Sequence, residues 1–309
     1  MCFCGAWENP DELEVIFKRD VVFNMSVFNG QALFGNACFK GLAGFDGCVF
    51  DRVAVWRGSR FTSRAMFRTV SFKGYSLFSQ AKFCSDARFT NTCFSKGGNF
   101  TEARFESVTD FSGCYSLGKS IPSYGDVVFG QHRCGEDETF WRFIKQASQE
   151  AGYYGVAGES FYKERCSHFW GKLKGSKYNQ LSGWQKFVRW LVGVRLLPEL
   201  IFGRFLFGYG ERPVRVLFVG LFIVLISAIF YSSPMANLSA RGDGGVITER
   251  SFGDGLYFSV TTFTTLGFGD IFPASGHTLT RFVAMFEAIS GAALMALFVV
   301  GLSKRYSRG

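Results

Sequence analysis

The chain has 309 residues, enough for two domains, and a formal net charge of +9. Charged residues make up only 19% and aromatic residues 18%, most of them phenylalanine, which is foreign to an ordinary soluble enzyme. With three histidines and no Ser/His/Asp, metal or phosphate-loop constellation, an enzyme is not expected.

The first residues show no basic stretch followed by an apolar core, so no cleaved leader is expected. Nine cysteines, an odd number and mostly amino-terminal, fit a reduced, cytoplasmic setting. Cys166-Ser167-His168 and His132-Arg133-Cys134 each offer two ligands where zinc usually takes four, so no metal site is assigned to them.

From residue 17 to 111 an internal repeat runs without a break. Phe17, Phe23, Phe28, Phe34, Phe39, Phe45, Phe50, Trp56, Phe61, Phe67, Phe72, Phe78, Phe83, Phe89, Phe94, Phe100, Phe105 and Phe111 are separated by alternating steps of six and five. Two residues before each aromatic stands a small or β-branched residue, as at Ala32, Ala43, Cys48, Ala54, Ser59, Ala65 and Thr92. This is neither helical periodicity nor simple alternation. It describes a chain that turns a corner every five or six residues, with the aromatic at the centre of each face and the small residue at the inner corner. Four faces close one coil, so eighteen aromatics make between four and five coils. At a strand spacing of roughly 4.8 Å the rod is about 20 Å long. End coils need caps, and residues 5–14 and the segment after 112 are candidates. The pattern resembles the pentapeptide-repeat family, with one extra residue in every second unit, and implies a right-handed quadrilateral β-solenoid over residues 1–116. Arg52, Arg57, Arg60, Arg64, Arg68, Lys73, Lys82 and Arg88 outnumber Asp51 and Asp86, which argues against mimicry of nucleic acid. No nucleic-acid partner is expected, and the solenoid's own ligand or partner is unknown.

Residues 117–183 form the link. A loop rich in glycine leads to a helix over 136–151, where Phe140, Ile144 and Ala147 keep helical spacing and acids open the first turn. Gly152 stops it, and a second helix follows over 156–174. Residues 184–212 are apolar but carry Lys186, Arg189, Arg195, Glu199 and Arg204, too many charges to span a bilayer. With Trp184 and Trp190 they suit an interfacial helix on the cytoplasmic side.

Residues 213–309 read as a membrane domain. Val216–Ala240 holds no charge and Phe282–Ser303 holds one acid, Glu287. Each is long enough to span. The expected elements are an outer helix at about 214–234, a short helix at about 255–264 and an inner helix at about 279–303. Lysines and arginines gather before the first span and after the second, which puts both termini in the cytoplasm. Asn237-Leu238-Ser239 matches a glycosylation sequon, a common string of little weight. Between the spans stands Thr264-Thr265-Leu266-Gly267-Phe268-Gly269-Asp270. Its glycines alternate with larger residues and can take positive φ, so that successive carbonyls point one way.

Residues 213–304 resemble the pore module of a two-transmembrane potassium channel. The resemblance implies a homotetramer in the cell membrane, each chain supplying one filter segment over 265–269. It implies no cofactor beyond K+ as the permeant ion. The backbone oxygens of Thr265, Leu266, Gly267 and Phe268 would coordinate K+, Thr265 adding its hydroxyl, with Gly269 allowing the outer turn and Asp270 at the mouth. Thr264, Thr261, Asp270 and Glu287 are the expected filter supports. Phe268 stands where the family commonly has a tyrosine, so its ring cannot donate to the short helix. Thr261 stands where many members have an acid. Gly291 is either a gating hinge or a close-packing site. Glu287 either accepts hydrogen bonds from Thr261 or Thr262 or faces the cavity as a cation site, since an acid at this depth calls for a partner. No carboxy-terminal regulator is expected, so a gating signal would enter through the solenoid. A non-selective or sodium-permeable channel and a membrane-anchored scaffold are the alternatives.

Overall fold

The computed structural model describes residues 15–117, 120–130, 135–174, 182–240 and 251–306. The chain divides into two units, Met1–Leu196 and Leu197–Gly309.

In the first unit, two-residue strands run from Ile16–Phe17 to Val128–Phe129 and stack as four parallel sheets, one per face. The register is regular: Cys38 opposes Arg60, Arg60 opposes Lys82 and Lys82 opposes Arg104, twenty-two residues per coil. Every face carries its own aromatic stack. Phe39, Phe61, Phe83 and Phe105 follow one another at 4.8 Å between ring centroids, stacked with their planes nearly parallel. Trp56 sits between Phe34 and Phe78 at 5.4 and 4.9 Å.

The alternation of five and six has a backbone cause. Met25, Asn36, Gly47, Gly58, Thr69, Gln80, Asn91, Glu102 and Gly113 all have positive φ and are spaced by eleven. Each lies two residues after the aromatic that opens a five-residue step. The shorter step turns its corner with a left-handed residue, and the longer step has one more residue to bend with. At the inner corners Ser59 Oγ donates to Phe34 O at 2.6 Å and Cys114 Sγ to Phe89 O at 2.8 Å. Polar side chains buried there are thus satisfied by a carbonyl of the preceding coil.

The solenoid runs past residue 116. Val128 opposes Arg104 and Phe129 stacks on Phe105 at 5.2 Å, twenty-four residues on instead of twenty-two. Two extra residues in this coil broke the aromatic spacing and hid it from the sequence pattern. Helix α1 (Glu138–Glu150) then closes the rod. Phe140 meets Phe111 at 5.0 Å and Phe143 meets Phe94 at 5.3 Å, so the cap is an apolar helix face within the same core. The cap proposed at residues 5–14 lies outside the described residues.

Helix α2 (Tyr154–Leu173) packs antiparallel on α1. Buried Glu164 receives Arg142 Nε at 3.0 Å and Lys145 Nζ at 2.6 Å, and Asp137 accepts from Trp141 Nε1 at 2.7 Å and Ser167 Oγ at 2.6 Å. His168 Nδ1 lies 3.1 Å from Glu138 Oε2, and Cys166 is buried; His132 and Cys134 lie outside the described residues. Among the described residues no group of three or more potential metal ligands occurs.

The expected single interfacial helix is broken. Helix α3 spans Gly183–Val194, and the chain turns at Arg195 and Leu196 before a π-helical segment, Glu199–Leu206. Pro198 explains the restart: with no N–H it cannot continue α3, but it fits the first turn of the next helix. On α3, Trp184, Phe187, Val188, Leu191 and Val194 form an exposed apolar stripe at helical spacing.

In the second unit, α4 (Val214–Ser232), α5 (Phe252–Phe263) and α6 (Thr278–Tyr306) pack together. Helix α4 has a mean hydropathy of 2.5 and residues Thr278–Ser303 of α6 one of 2.1, with only 33% and 17% of these spans buried within the chain. Core helices of a soluble protein would be covered; these are not. Helix α5 begins three residues before the expected 255. Ser251 accepts from Gly253 N at 3.2 Å, and Asp254 reaches back to Ser251 N at 3.2 Å, a capping box that adds a first turn.

Candidate functional site

Helix α5 ends at Phe263, and the backbone after it is tied to its last turn. Thr265 N donates to Thr262 O at 3.1 Å, Leu266 N to Thr261 O at 3.0 Å and Gly267 N to the same oxygen at 3.3 Å. The described peptides are all trans. In a planar trans peptide the carbonyl points opposite the N–H. The carbonyls of Thr265 and Leu266, which belong to the Leu266 and Gly267 amides, therefore both face away from α5. Positive φ at Thr265 (58°), Gly267 (48°) and Gly269 (74°) holds this run. Residues 265–270 are all exposed in the single chain. The hydroxyl of Thr265 donates to Thr264 O at 2.7 Å, and that of Thr264 to Val260 O at 2.6 Å.

Asp270 is anchored by a residue that the sequence reading missed. Tyr257 Oη, on α5, donates to Asp270 Oδ2 at 2.7 Å, and Ile271 N donates to Oδ1 at 3.0 Å. The tyrosine hydroxyl holds this exposed carboxyl below the usual aspartate range. The signal was available in principle: an aromatic hydroxyl two turns before the end of α5 is in reach of the residue that closes the loop. The segment Ile271–Pro273 then pairs antiparallel with Leu238–Ala240, fixing the outer end of the loop.

Behind the loop lies a buried polar knot. Glu287 on α6 is fully buried and accepts from Tyr231 Oη on α4 at 2.8 Å. Its other oxygen is in hydrogen-bond contact with Ser259 Oγ on α5, and Ser227 stands alongside. The expected partners were Thr261 and Thr262. Thr261 instead turns its hydroxyl to Phe258 O at 3.0 Å, and its carbonyl receives the loop amides. Ser259 lies on the face of α5 that meets both long helices; its carbonyl neighbour across the interface, Val224 O, is 2.9 Å away. Gly291 meets the end of α5: a Cβ there would lie 3.1 Å from Phe263 Cα and overlap the carbonyl oxygen.

Residues 218–308 match the family model described as "Ion channel". This region is an ion-channel domain of the two-transmembrane type. With its two apolar helices, the channel domain makes the chain a membrane protein. The four-faced rod ahead of the channel domain has the architecture expected of pentapeptide repeats. No curated protein and no solved structure matches the chain.

Proposed function

We propose that the protein is a potassium-selective, homotetrameric channel of the cell membrane that conducts passively through Thr265–Gly269. The observation that carries this reading is the shared direction of the Thr265 and Leu266 carbonyls, set by two amides on the Thr261 oxygen. Four such loops around one axis give stacked oxygen rings able to replace the hydration shell of K+. Exposure of the whole 265–270 run in one chain supports a site completed by neighbours. Leu266, Gly267 and Phe268 contribute carbonyls, Gly269 the outer turn, and Thr264, Thr261, Tyr257 and Asp270 the support. Both termini lie in the cytoplasm by the distribution of lysine and arginine. The α3 stripe rests on the membrane surface. A signal received by the solenoid reaches the pore through this segment. The protein is not an enzyme and takes no cofactor.

The test is flux in liposomes holding the purified protein, with K+ and Na+ compared and barium as blocker, alongside cross-linking to count subunits. Barium-sensitive flux that favours K+ from a tetramer is expected. Equal K+ and Na+ flux would replace this reading with a non-selective channel, and no flux after removal of residues 1–180 would leave a membrane-anchored scaffold.

A further inference from the structure

The polar knot behind the loop poses a counting problem. Ser259 Oγ has one hydrogen and two oxygen neighbours at hydrogen-bond distance, Val224 O and Glu287 Oε1. Val224 O is a carbonyl and can only accept, so one serine hydrogen faces two acceptors, and Ser227 is a further polar neighbour of the carboxyl. One of the two serine contacts lacks a hydrogen unless the carboxyl supplies one. The other carboxyl oxygen already accepts the only hydrogen of Tyr231 Oη. Among the described residues no lysine, arginine or histidine forms an ion pair with Glu287, and the group is fully buried. An ionised carboxyl held this way, inside a membrane-spanning helix, has no compensating charge.

We propose that Glu287 is a neutral carboxylic acid whose Oε1–H donates to Ser259 Oγ. The chain of donors is then complete: Tyr231 Oη–H to Glu287 Oε2, Glu287 Oε1–H to Ser259 Oγ, and Ser259 Oγ–H to Val224 O. Helix α4 contributes Val224 and Tyr231, and α5 and α6 contribute one member each. Ser259 lies two residues before Thr261, whose carbonyl directs the loop amides, so the chain is a positioning strut for the filter. This role rests on the proposed potassium-channel reading; the protonation state does not.

Two measurements on the full-length tetramer in lipid test it. Infrared spectra of wild type and Glu287→Gln should differ by a carbonyl band of a protonated carboxylic acid, present only in wild type. In K+ against Na+ flux, Glu287→Gln should stay within about twofold of wild type, because a neutral amide can donate to Ser259 and accept from Tyr231. Glu287→Ala should lose selectivity by about tenfold or more, the scale of leaving buried partners unsatisfied. Absence of the band, or a Glu287→Gln channel as impaired as Glu287→Ala, overturns the neutral acid. A Glu287→Ala channel indistinguishable from wild type overturns the strut. If wild type itself carries no selective flux, the channel reading fails, while the infrared comparison still decides the protonation.

Discussion

Gly291 lies inside α6, where replacing glycine by alanine ordinarily stabilises a helix by about 0.8–1 kcal/mol. Here the sign is expected to reverse. A Cβ at Gly291 would stand 2.9 Å from the carbonyl carbon of Phe263 and would overlap the oxygen bonded to it. The overlapping oxygen sets the larger demand: non-bonded contacts need about 3–3.5 Å, so α6 and the end of α5 must separate by about 1 Å or more. Both obstacles are backbone, and no rotamer change relieves them. Forcing an extra carbon into such a contact costs about 1–3 kcal/mol. After the gain in helix propensity, the Gly291→Ala subunit is expected to be destabilised by up to about 2 kcal/mol. The shift would be delivered to Thr264–Gly269, which follow Phe263 directly. The assay is thermal dissociation of the proposed tetramer in K+ and in Na+, read on gels. Protection by K+ should shrink in Gly291→Ala. A variant tetramer at least as heat-stable as wild type in K+, with reduced open probability in bilayers, would refute the packing argument and identify a hinge.

Three further outcomes are expected. Tyr257→Phe removes the donor to Asp270 and should hasten loss of conduction at neutral pH. The bond favours the ionised carboxyl, so its contribution is present above the ordinary aspartate range near pH ~4 and lost as pH falls through the lowered folded value; variant and wild type should converge only in acid, and identical decay at neutral pH would remove Tyr257 from the support. Burial pushes the Cys114 thiol up to about 12, and Cys48 is raised by the same cause, so mild alkylation of the native protein should leave both unmodified in peptide maps while half-buried Cys84 reacts. Phe78→Ala empties a site lined by Trp56, Phe67, Phe89 and Phe100 and should lower stability to denaturant by about 3–5 kcal/mol, followed by circular dichroism; a loss under about 1 kcal/mol would contradict a continuous aromatic core.

The solenoid was legible because its side-chain pattern and its backbone repeat are the same object. An aromatic at every face and a small residue at every inner corner leave one way to close the chain, and Phe17 to Phe111 marks it. What escaped was governed by backbone. Phe129 belongs to the stack, yet two residues inserted in its coil put it out of step with Phe105. The left-handed residues at the five-residue corners include Met25, Thr69 and Glu102, types that announce no turn. The break after Val194 was visible as Pro198, but the apolar stripe on both sides masked it. At α5, the Ser251–Asp254 capping box was a readable signal, and the helix starts where it directs.

At the proposed filter the limit is of another kind. The motif names which residues would supply oxygens, but not what turns them. That task falls to the carbonyl of Thr261, and any residue at that position has one. The conformation has a cost the sequence does not advertise: Thr265 is β-branched and sits at φ 58°, where a residue with a Cβ is disfavoured by roughly 1–2 kcal/mol. A glycine there would relieve the strain and forfeit the hydroxyl. The strained backbone is held by the amides at Thr265 and Leu266, which bond Thr262 O and Thr261 O on either side of it. Those acceptors are only as fixed as α5, and α5 is held between α4 and α6 by Ser259, Glu287 and Tyr231. Threonine in a left-handed conformation at the inner end of the proposed filter is therefore accounted for by oxygen placement, with the buried polar knot supplying the rigidity that keeps it there.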